Sequence, residues 1–344
     1  MASSDLPVTI KAWTYTHSGY PQCLQQTDQT PKASFCPTEI LVQMHAIALN
    51  PVDIQLMNLA IWSLPLPALH QPKTIGCDFA GTVLRAGSEA QYTAGDEVFG
   101  VSMAPRGPGC AAEVVVLDTG SAHLMIAKKP PQLSFVQAAS LPVVFMTART
   151  TIALVEEYMR VGGASLGRVA VLGGSTSCGM YAIRLARQRG WDVLSTCSGK
   201  NVEFVKGLGA GEVIDYTKDS VPDGVRAFAP DAVIDCVGGS DCIGITRRYV
   251  TIVGDKTDRT LIGGSMLYLT HPRMLVRWVL GWLGVLGRYD CIIFEKNVTW
   301  LAEAVELRPE EVTVDSVFAF SDMKKALEKV ARGNVRGKVV VEIK

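Results

Sequence analysis

The stretch Val169-Ala-Val-Leu-Gly-Gly-Ser-Thr-Ser-Cys-Gly179 decides how this chain folds. Its first four residues are apolar and read as a strand buried on both faces. The turn leads into Met180-Tyr-Ala-Ile-Arg-Leu-Ala-Arg-Gln-Arg-Gly190, where Ala182, Leu185 and Ala186 share one helical face. A strand, a tight turn and a helix N-terminus make an anion site, because backbone N–H groups and the positive end of the helix dipole converge there. In the dinucleotide-binding pattern G-x-G-x-x-G, Gly174 takes the first place and Gly179 the third. Thr176 stands second, where bare backbone normally admits a pyrophosphate. The hydroxyls of Ser175, Thr176 and Ser177 supply donors in its place. The alternative is an ordinary strand-to-helix loop.

The end of the next strand selects the cofactor. About 20 residues after the glycines, a site for NAD carries an acid on the ribose 2'-hydroxyl, whereas a site for NADP carries small polar and basic residues. Here the chain reads Ser195-Thr-Cys-Ser-Gly-Lys-Asn201, and Asp192 comes too early to serve. Ser198 and Lys200 suit a 2'-phosphate that an acid would repel, which favours NADPH over NADH.

Working outward, helical segments alternate with apolar strands from Ser134 onward: Val169 to Leu172, Trp191 to Thr196, Glu212 to Ile214, Ala232 to Cys236 and Tyr249 to Val253. That alternation predicts a doubly wound parallel sheet. Before residue 135 the texture is different, with short β runs at 39–45, 81–85, 97–99 and 112–117 between Gly, Pro and Asp, as in an irregular β-barrel. The last part has strand-like runs at 316–320 and 337–343 around a helix near 322–332, and either extends the sheet or rejoins the first domain.

The whole-chain numbers bound the function. A chain of 344 residues exceeds what a single core usually holds, so two domains are expected. Its 33 basic and 33 acidic residues cancel, and no block of one sign marks a nucleic-acid footprint. Nine scattered cysteines without a C-x-x-C pair point to reduced thiols and a cytoplasmic location, and no secretory signal is visible. The apolar run at 278–287 is too short to span a bilayer, so no transmembrane segment is expected. A small apolar or amphipathic substrate fits this balance.

Several further segments, taken in order, resemble the zinc-independent branch of the medium-chain dehydrogenase/reductases, the quinone oxidoreductase and enoyl reductase relatives. They are Ala48-Leu-Asn-Pro-Val-Asp53, Gly76-Cys-Asp-Phe-Ala-Gly-Thr-Val83, Ala94-Gly-Asp-Glu-Val-Phe-Gly100, Ala138-Ala-Ser-Leu-Pro142 with Thr147-Ala148, Gly207-Leu-Gly-Ala-Gly-Glu-Val-Ile-Asp-Tyr216 and Gly337-Lys-Val-Val-Val341. The Gly-Gly-Ser-Thr turn with Thr-Cys-Ser and Asn201 is similar to that of fungal trans-acting enoyl reductases of biosynthetic clusters. The resemblance implies an α/β fold in which a discontinuous GroES-like β-barrel catalytic domain, residues 1–135 and 301–344, accompanies a Rossmann domain, residues 136–300. By position it implies that Asn50 and Thr147 face the nicotinamide and that Ser175, Thr176, Ser177 and Cys178 contact phosphates. Ser198, Lys200, Asn201 and Tyr216 then surround the 2'-phosphate, Val237, Val253 and Gly254 follow the sheet's carboxyl edge, and Lys338 closes over the cofactor. Relatives are often homodimers, and a polyketide synthase or another pathway enzyme is a candidate partner.

Zinc-dependent relatives use Cys, His and a carboxylate, and this chain has Gly76-Cys-Asp78 and Asn50 at those places, so no metal is expected. Without a Lewis acid, the fitting chemistry is hydride delivery from NADPH to an already electrophilic carbon of an enone, enoyl group or quinone. Trans-acting enoyl reductases carry a lysine shortly after Asn-Pro-Val-Asp, where this chain has Gln55, which donates a hydrogen bond but no proton at neutral pH. His70, Tyr92, Tyr268 and His271 are the candidate proton donors, each weighed against a packing role, and Thr147 is the favoured residue for placing the nicotinamide. Two other readings stand beside the reductase: a cyclase or isomerase that retains NADP without net redox, and a non-catalytic NADPH-binding scaffold. The Trp- and Leu-rich stretch Met266 to Tyr289 is read as a buried helix and loop, a substrate wall, or a face for a membrane or partner.

Overall fold

A computed structural model describes residues 8–32, 36–103, 109–162, 167–256 and 264–344. The chain forms two compact units, Met1–Val143 with Lys296–Lys344, and Val144–Glu295.

The first unit is built on the eleven-residue strand Glu39–Leu49. It pairs antiparallel with Asp78–Ala86, with Val114–Asp118 and with the late strand Lys338–Glu342, which meets it at Val339 opposite Leu49 and Val341 opposite Ile47. Val314–Ala319 lies parallel to Lys338–Glu342, while Glu97–Ser102 and Leu124–Lys128 continue the seven-stranded sheet beyond Asp78–Ala86. A second sheet holds Gln25–Gln29, Ile10–Tyr15 and Lys73–Thr74. The tail therefore belongs to this unit. Its helix Met323–Arg332 buries Met323, Ala326, Leu327 and Val330, the i, i+3, i+4, i+7 stripe of an amphipathic helix, in the same core as Ile47, Phe79 and Val339.

The second unit is a six-stranded, wholly parallel sheet in the spatial order Glu212–Asp215, Asp192–Cys197, Arg168–Leu172, Ala232–Asp235, Arg248–Thr251, Arg288–Cys291. In chain order this is 3-2-1-4-5-6, the doubly wound arrangement whose order reverses between its first and fourth strands. Ala232–Asp235 and Arg248–Thr251 are buried along their whole length, and the first appears in the sequence as a short, mostly apolar run.

Five strands among the described residues have no counterpart in the runs read from the sequence: Ile10–Tyr15, Gln25–Gln29, Lys73–Thr74, Leu124–Lys128 and Arg288–Cys291. The last forms through its neighbour. Arg248, 2% exposed, pairs with Asp290, and the rings of Tyr249 and Tyr289 stack with centroids 5.9 Å apart. The Met266 to Tyr289 stretch is thus a short 3-10 turn, the helix Pro272–Trp282, an exposed loop and the start of an edge strand, and it is not the buried helix and loop that its composition allows.

Candidate functional site

The glycine turn closes the first strand of the parallel sheet at its carboxyl end, where the strand order reverses. Gly173 adopts φ +85°, a conformation that disfavours a side chain. At Gly174 an added Cβ would lie 2.2 Å from Ser195 Oγ, and at Gly179 it would lie 2.2 Å from the carbonyl oxygen of Gly173. The three glycines that this geometry requires are therefore 173, 174 and 179, and the pair Gly173-Gly174 is the sequence signal for the first.

Thr176 takes the place of the middle glycine by capping the helix Ser177–Gln188. Its hydroxyl donates to the Gly173 carbonyl at 2.8 Å and accepts from the Gly179 N–H at 3.1 Å. That hydroxyl is committed inside the turn. The N–H groups of Gly173 and Gly174 are held by Thr196, through its hydroxyl and its carbonyl, each at 2.9 Å. At the tip, the Ser175 N–H has no protein acceptor among the described residues, and it stands ahead of the twelve-residue helix whose dipole favours an anion. Cys178 follows in the first turn of that helix, half-buried.

Beside the turn, the second strand runs into Ser198, Gly199, Lys200 and Asn201. Asn201 Nδ2 donates to Ser198 Oγ at 3.3 Å, and Lys200 is exposed with no carboxylate partner among the described residues. Asp215, at the end of the third strand, organises this loop. Its carboxylate accepts from the Thr217 hydroxyl at 2.7 Å, from the Thr217 N–H at 3.1 Å and from the Gly199 N–H. The Thr217 hydroxyl holds that carboxyl below its ordinary range, so Asp215 is ionised at neutral pH. A Cβ at Gly199 would lie 2.5 Å from Asp215 Oδ2. Tyr216 is exposed next to it.

The fourth and fifth strands share a second organising acid that the sequence reading missed. Asp235, fully buried, accepts from the N–H groups of Val237 and Gly238, each at 2.9 Å, and from Thr251 Oγ1 at 2.8 Å. Thr251 Oγ1 in turn accepts from the N–H groups of Val253 and Gly254, at 3.2 and 2.9 Å. One carboxylate thus sets both loops that carry Val237, Val253 and Gly254. Together with 174–178, 198–201 and 216, these residues lie at the carboxyl ends of one sheet, where open α/β sheets bind ligands. Thr147 is in the same unit, buried within the helix Pro142–Gly162.

In the first unit, Asn50, Asp78 and Lys338 form a buried knot. Asp78, fully buried, accepts from Asn50 Nδ2 at 2.9 Å, from Lys338 Nζ at 3.0 Å and from the Val143 N–H at 2.8 Å. Lys338 Nζ also donates to Asn50 Oδ1. The zinc ligands of metal-dependent relatives correspond to this neighbourhood, and the residues do not fit a zinc ion. The Asp78 carboxylate already faces the Lys338 ammonium group and the Asn50 amide, and burial, with Asp53 and Asp78 nearby, pushes the Cys77 thiol far above its ordinary range. Among the described residues no group of three His, Cys, Asp or Glu side chains is placed to hold a metal.

The candidate proton donors have other settings. Tyr92 OH donates to the Ile126 carbonyl at 2.9 Å, and Tyr268 OH accepts from the Cys291 N–H at 2.7 Å. His70 is exposed, and His271 precedes the helix Pro272–Trp282. Gln55 is buried in the helix Pro51–Met57.

Comparison with known proteins agrees with this architecture. Residues 36–129 match the alcohol dehydrogenase GroES-like domain, and residues 208–341 match a family described as zinc-binding dehydrogenase. The human NAD(P)H oxidoreductase RTN4IP1, mitochondrial, is 31% identical over 89% of this chain and 82% of its own length. The trans-enoyl reductase pgmF of Aspergillus terreus is 29% identical over 99% of this chain and 98% of that protein. The quinone oxidoreductase of Coxiella burnetii superposes with a TM-score of 0.76 at 28% identity, covering 98% of this chain and 100% of that one. With the GroES-like barrel, the 3-2-1-4-5-6 sheet and relatives matched along nearly the whole chain, this protein belongs to the medium-chain dehydrogenase/reductase family of oxidoreductases.

Proposed function

We propose that the protein is an NADPH-dependent reductase, working without a metal, that acts on an activated carbon–carbon double bond or a quinone in an apolar substrate. The observation that carries this reading is the end of the second strand, where Ser198, Asn201 and an exposed Lys200 with no carboxylate partner among the described residues stand and the nearby acid Asp215 is held by Gly199 and Thr217. A dianionic 2'-phosphate finds a cation and hydroxyl and amide donors there, whereas a bare ribose finds no acid to grip.

Bound NADPH supplies the hydride. The Ser175 N–H and the first turn of Ser177–Gln188, with Ser177 and Cys178, hold the pyrophosphate. Thr176 and Gly174 shape that turn, and Tyr216 flanks the adenosine. Val237, Val253 and Gly254, set by Asp235 and Thr251, shape the carboxyl edge of the sheet. Asn50 and Thr147 place the nicotinamide, and Lys338 fixes the Asn50 amide. Gln55 donates a hydrogen bond to the oxygen on which charge develops, and the proton for the α-carbon comes from solvent. The likeness to a fungal trans-enoyl reductase and a bacterial quinone oxidoreductase supports these two acceptor classes.

Steady-state oxidation of NADPH and NADH over a panel of enones and quinones tests the reading. Lys200→Glu is expected to raise KM for NADPH roughly thirtyfold while NADH changes by less than about threefold. Equal effects on both cofactors would remove the 2'-phosphate assignment. With 4-deuterated NADPH, deuterium belongs at the β-carbon of a reduced enone. Turnover that leaves the product unlabelled by either face of the cofactor would exclude net reduction.

A further inference from the structure

We infer that Asp53 passes the α-carbon its solvent-derived proton, through a water seated in the small cavity that its carboxyl lines. The inference rests on the reductase reading above and supplies the step that Gln55 cannot perform, since an amide delivers no proton at neutral pH. Asp53 is 2% exposed, in the helix Pro51–Met57. Its Oδ2 accepts from the Asn50 N–H at 2.7 Å, whereas its Oδ1, also buried, has no hydrogen-bond partner among the described residues. The Cys77 thiol beside the carboxyl is a weak donor. A buried oxygen in that state is costly, so Oδ1 calls for a donor that the protein itself does not supply. The space beside it is a cavity of about 20 Å³ lined by Tyr15, Asp53, Leu56, Thr74, Cys77 and Ser102, room for about one water. Tyr15, Thr74 and Ser102 bring hydroxyl-bearing side chains to this lining, which suits a water that needs more than one polar partner.

The surroundings of this carboxyl suit a proton donor. Burial pushes it up to about 6, against the pull of the Asn50 N–H, the Cys77 thiol and Lys338 and with a further push from Asp78. A general acid works best when its pKa lies near the working pH. Burial pushes the Tyr15 hydroxyl and the Cys77 thiol, on the same lining, far above their ordinary ranges, so neither releases a proton at neutral pH. The Asn50 N–H that holds Asp53 belongs to the residue assigned above to the nicotinamide, so on that reading the acid lies one contact behind the reacting end of the cofactor. Hydride from NADPH forms the new C–H bond at the β-carbon, and the electrons of the double bond move to the carbonyl oxygen as an enolate. The water gives a proton to the α-carbon while taking one from Asp53, the enolate returns to the carbonyl, and solvent reprotonates the carboxylate. One proton is consumed for each NADPH oxidised.

Enones and quinones separate this role from a structural one, because a reduced quinone takes its protons on oxygen, where water delivers them unaided. In steady-state assays of the full chain with NADPH, Asp53→Asn, which keeps an oxygen for the Asn50 N–H, is expected to lower kcat for enones about a hundredfold and for quinones by less than about threefold. In deuterated water the parent is expected to place deuterium on one face of the α-carbon, and the residual product of the variant to carry it on both faces. Ser102→Val, which fills the cavity and leaves the carboxyl in place, is expected to lower enone turnover about tenfold, and it keeps the test decisive if Asp53→Asn fails to fold. Equal losses on enones and quinones, or one-faced deuteration by Asp53→Asn at the parental rate, would overturn the inference. A parent that reduces quinones but no enone would also overturn it and leave the reductase reading standing. A parent that oxidises NADPH with neither class would remove that reading, and this inference with it.

Discussion

Lys338→Met offers the sharpest test of the buried knot in the first unit. Asp78 is fully buried and the Lys338 side chain is 4% exposed, so neither charge is screened by water. Burial pushes the Asp78 carboxyl up, and Lys338 is the largest influence opposing it. Methionine keeps much of the lysine's apolar stem and removes that opposition. Removal of one partner of a buried pair costs roughly 3–5 kcal/mol. The sign is fixed by the direction of the shift. A folded-state pKa above the unfolded value of about 3.9 leaves the variant near parental stability in acid and costs it about 1.4 kcal/mol per pH unit as pH rises to the folded pKa. Between about pH 5 and pH 7 the variant is expected to lose more stability than the parent. Urea unfolding at the two pH values measures this, and hydrogen exchange of amides in Glu39–Leu49 reads the first unit directly. Adding Asp78→Asn removes the stranded charge and should recover most of the loss at neutral pH. A loss below about 1 kcal/mol that does not vary with pH would refute the reasoning.

Two other outcomes follow from the same kind of accounting. Gly174→Ala places a methyl 2.2 Å from Ser195 Oγ, which itself donates to the buried Val171 carbonyl at 2.7 Å, and is expected to cost about 2–4 kcal/mol in thermal or urea unfolding. In a Ser195→Ala background the same change should cost only about 1 kcal/mol, and strict additivity of the two substitutions would show that the clash is not the cause. Asp53 is buried and its carboxyl is pushed up to about 6 by burial, so its ionisation works against folding: stability held in acid is lost as pH rises from about 4 through about 6. Asp53→Asn, which keeps an oxygen for the Asn50 N–H, should lose about 3 kcal/mol less than the parent over that range in pH-dependent denaturation, and parallel curves for the two proteins would dismiss the assignment.

How much of this could be read from the sequence depended on whether the deciding interaction was local. The strand Arg168–Leu172, its turn and the helix Ser177–Gln188 are contiguous, and buried parallel strands show as apolar runs, so the doubly wound unit was legible. Arg288–Cys291 has no such run, because it is held by Asp290 and Tyr289 against Arg248 and Tyr249 from a distant part of the chain. Gln25–Gln29 is polar and half exposed, and it is a strand because Ile10–Tyr15 pairs with it. In the site, the cap formed by Thr176 was within reach, since a threonine three residues before Gly179 is an N-cap spacing, but the hydroxyl was assigned to a ligand instead. Asp235 and Thr251 are sixteen residues apart on adjacent strands, and Asp78 and Lys338 are 260 apart. No periodicity connects such pairs. The exposure of Trp282 and its neighbours was equally invisible, because composition does not distinguish a core from an uncovered surface.

The pairing of Lys338–Glu342 with Glu39–Leu49 has a consequence for the order of events during synthesis. Residues 144–295 form a complete sheet once they have been made, whereas the first unit needs a strand that the ribosome adds roughly 290 residues after the one it joins. Until residue 338 emerges, one edge of Glu39–Leu49, with Ile47, Ala48 and Leu49, is an open template for other chains, and Asp78 lacks its cation. The nascent first unit is therefore the part of this protein that a chaperone has most reason to hold, and its C-terminal strand is the step that releases it.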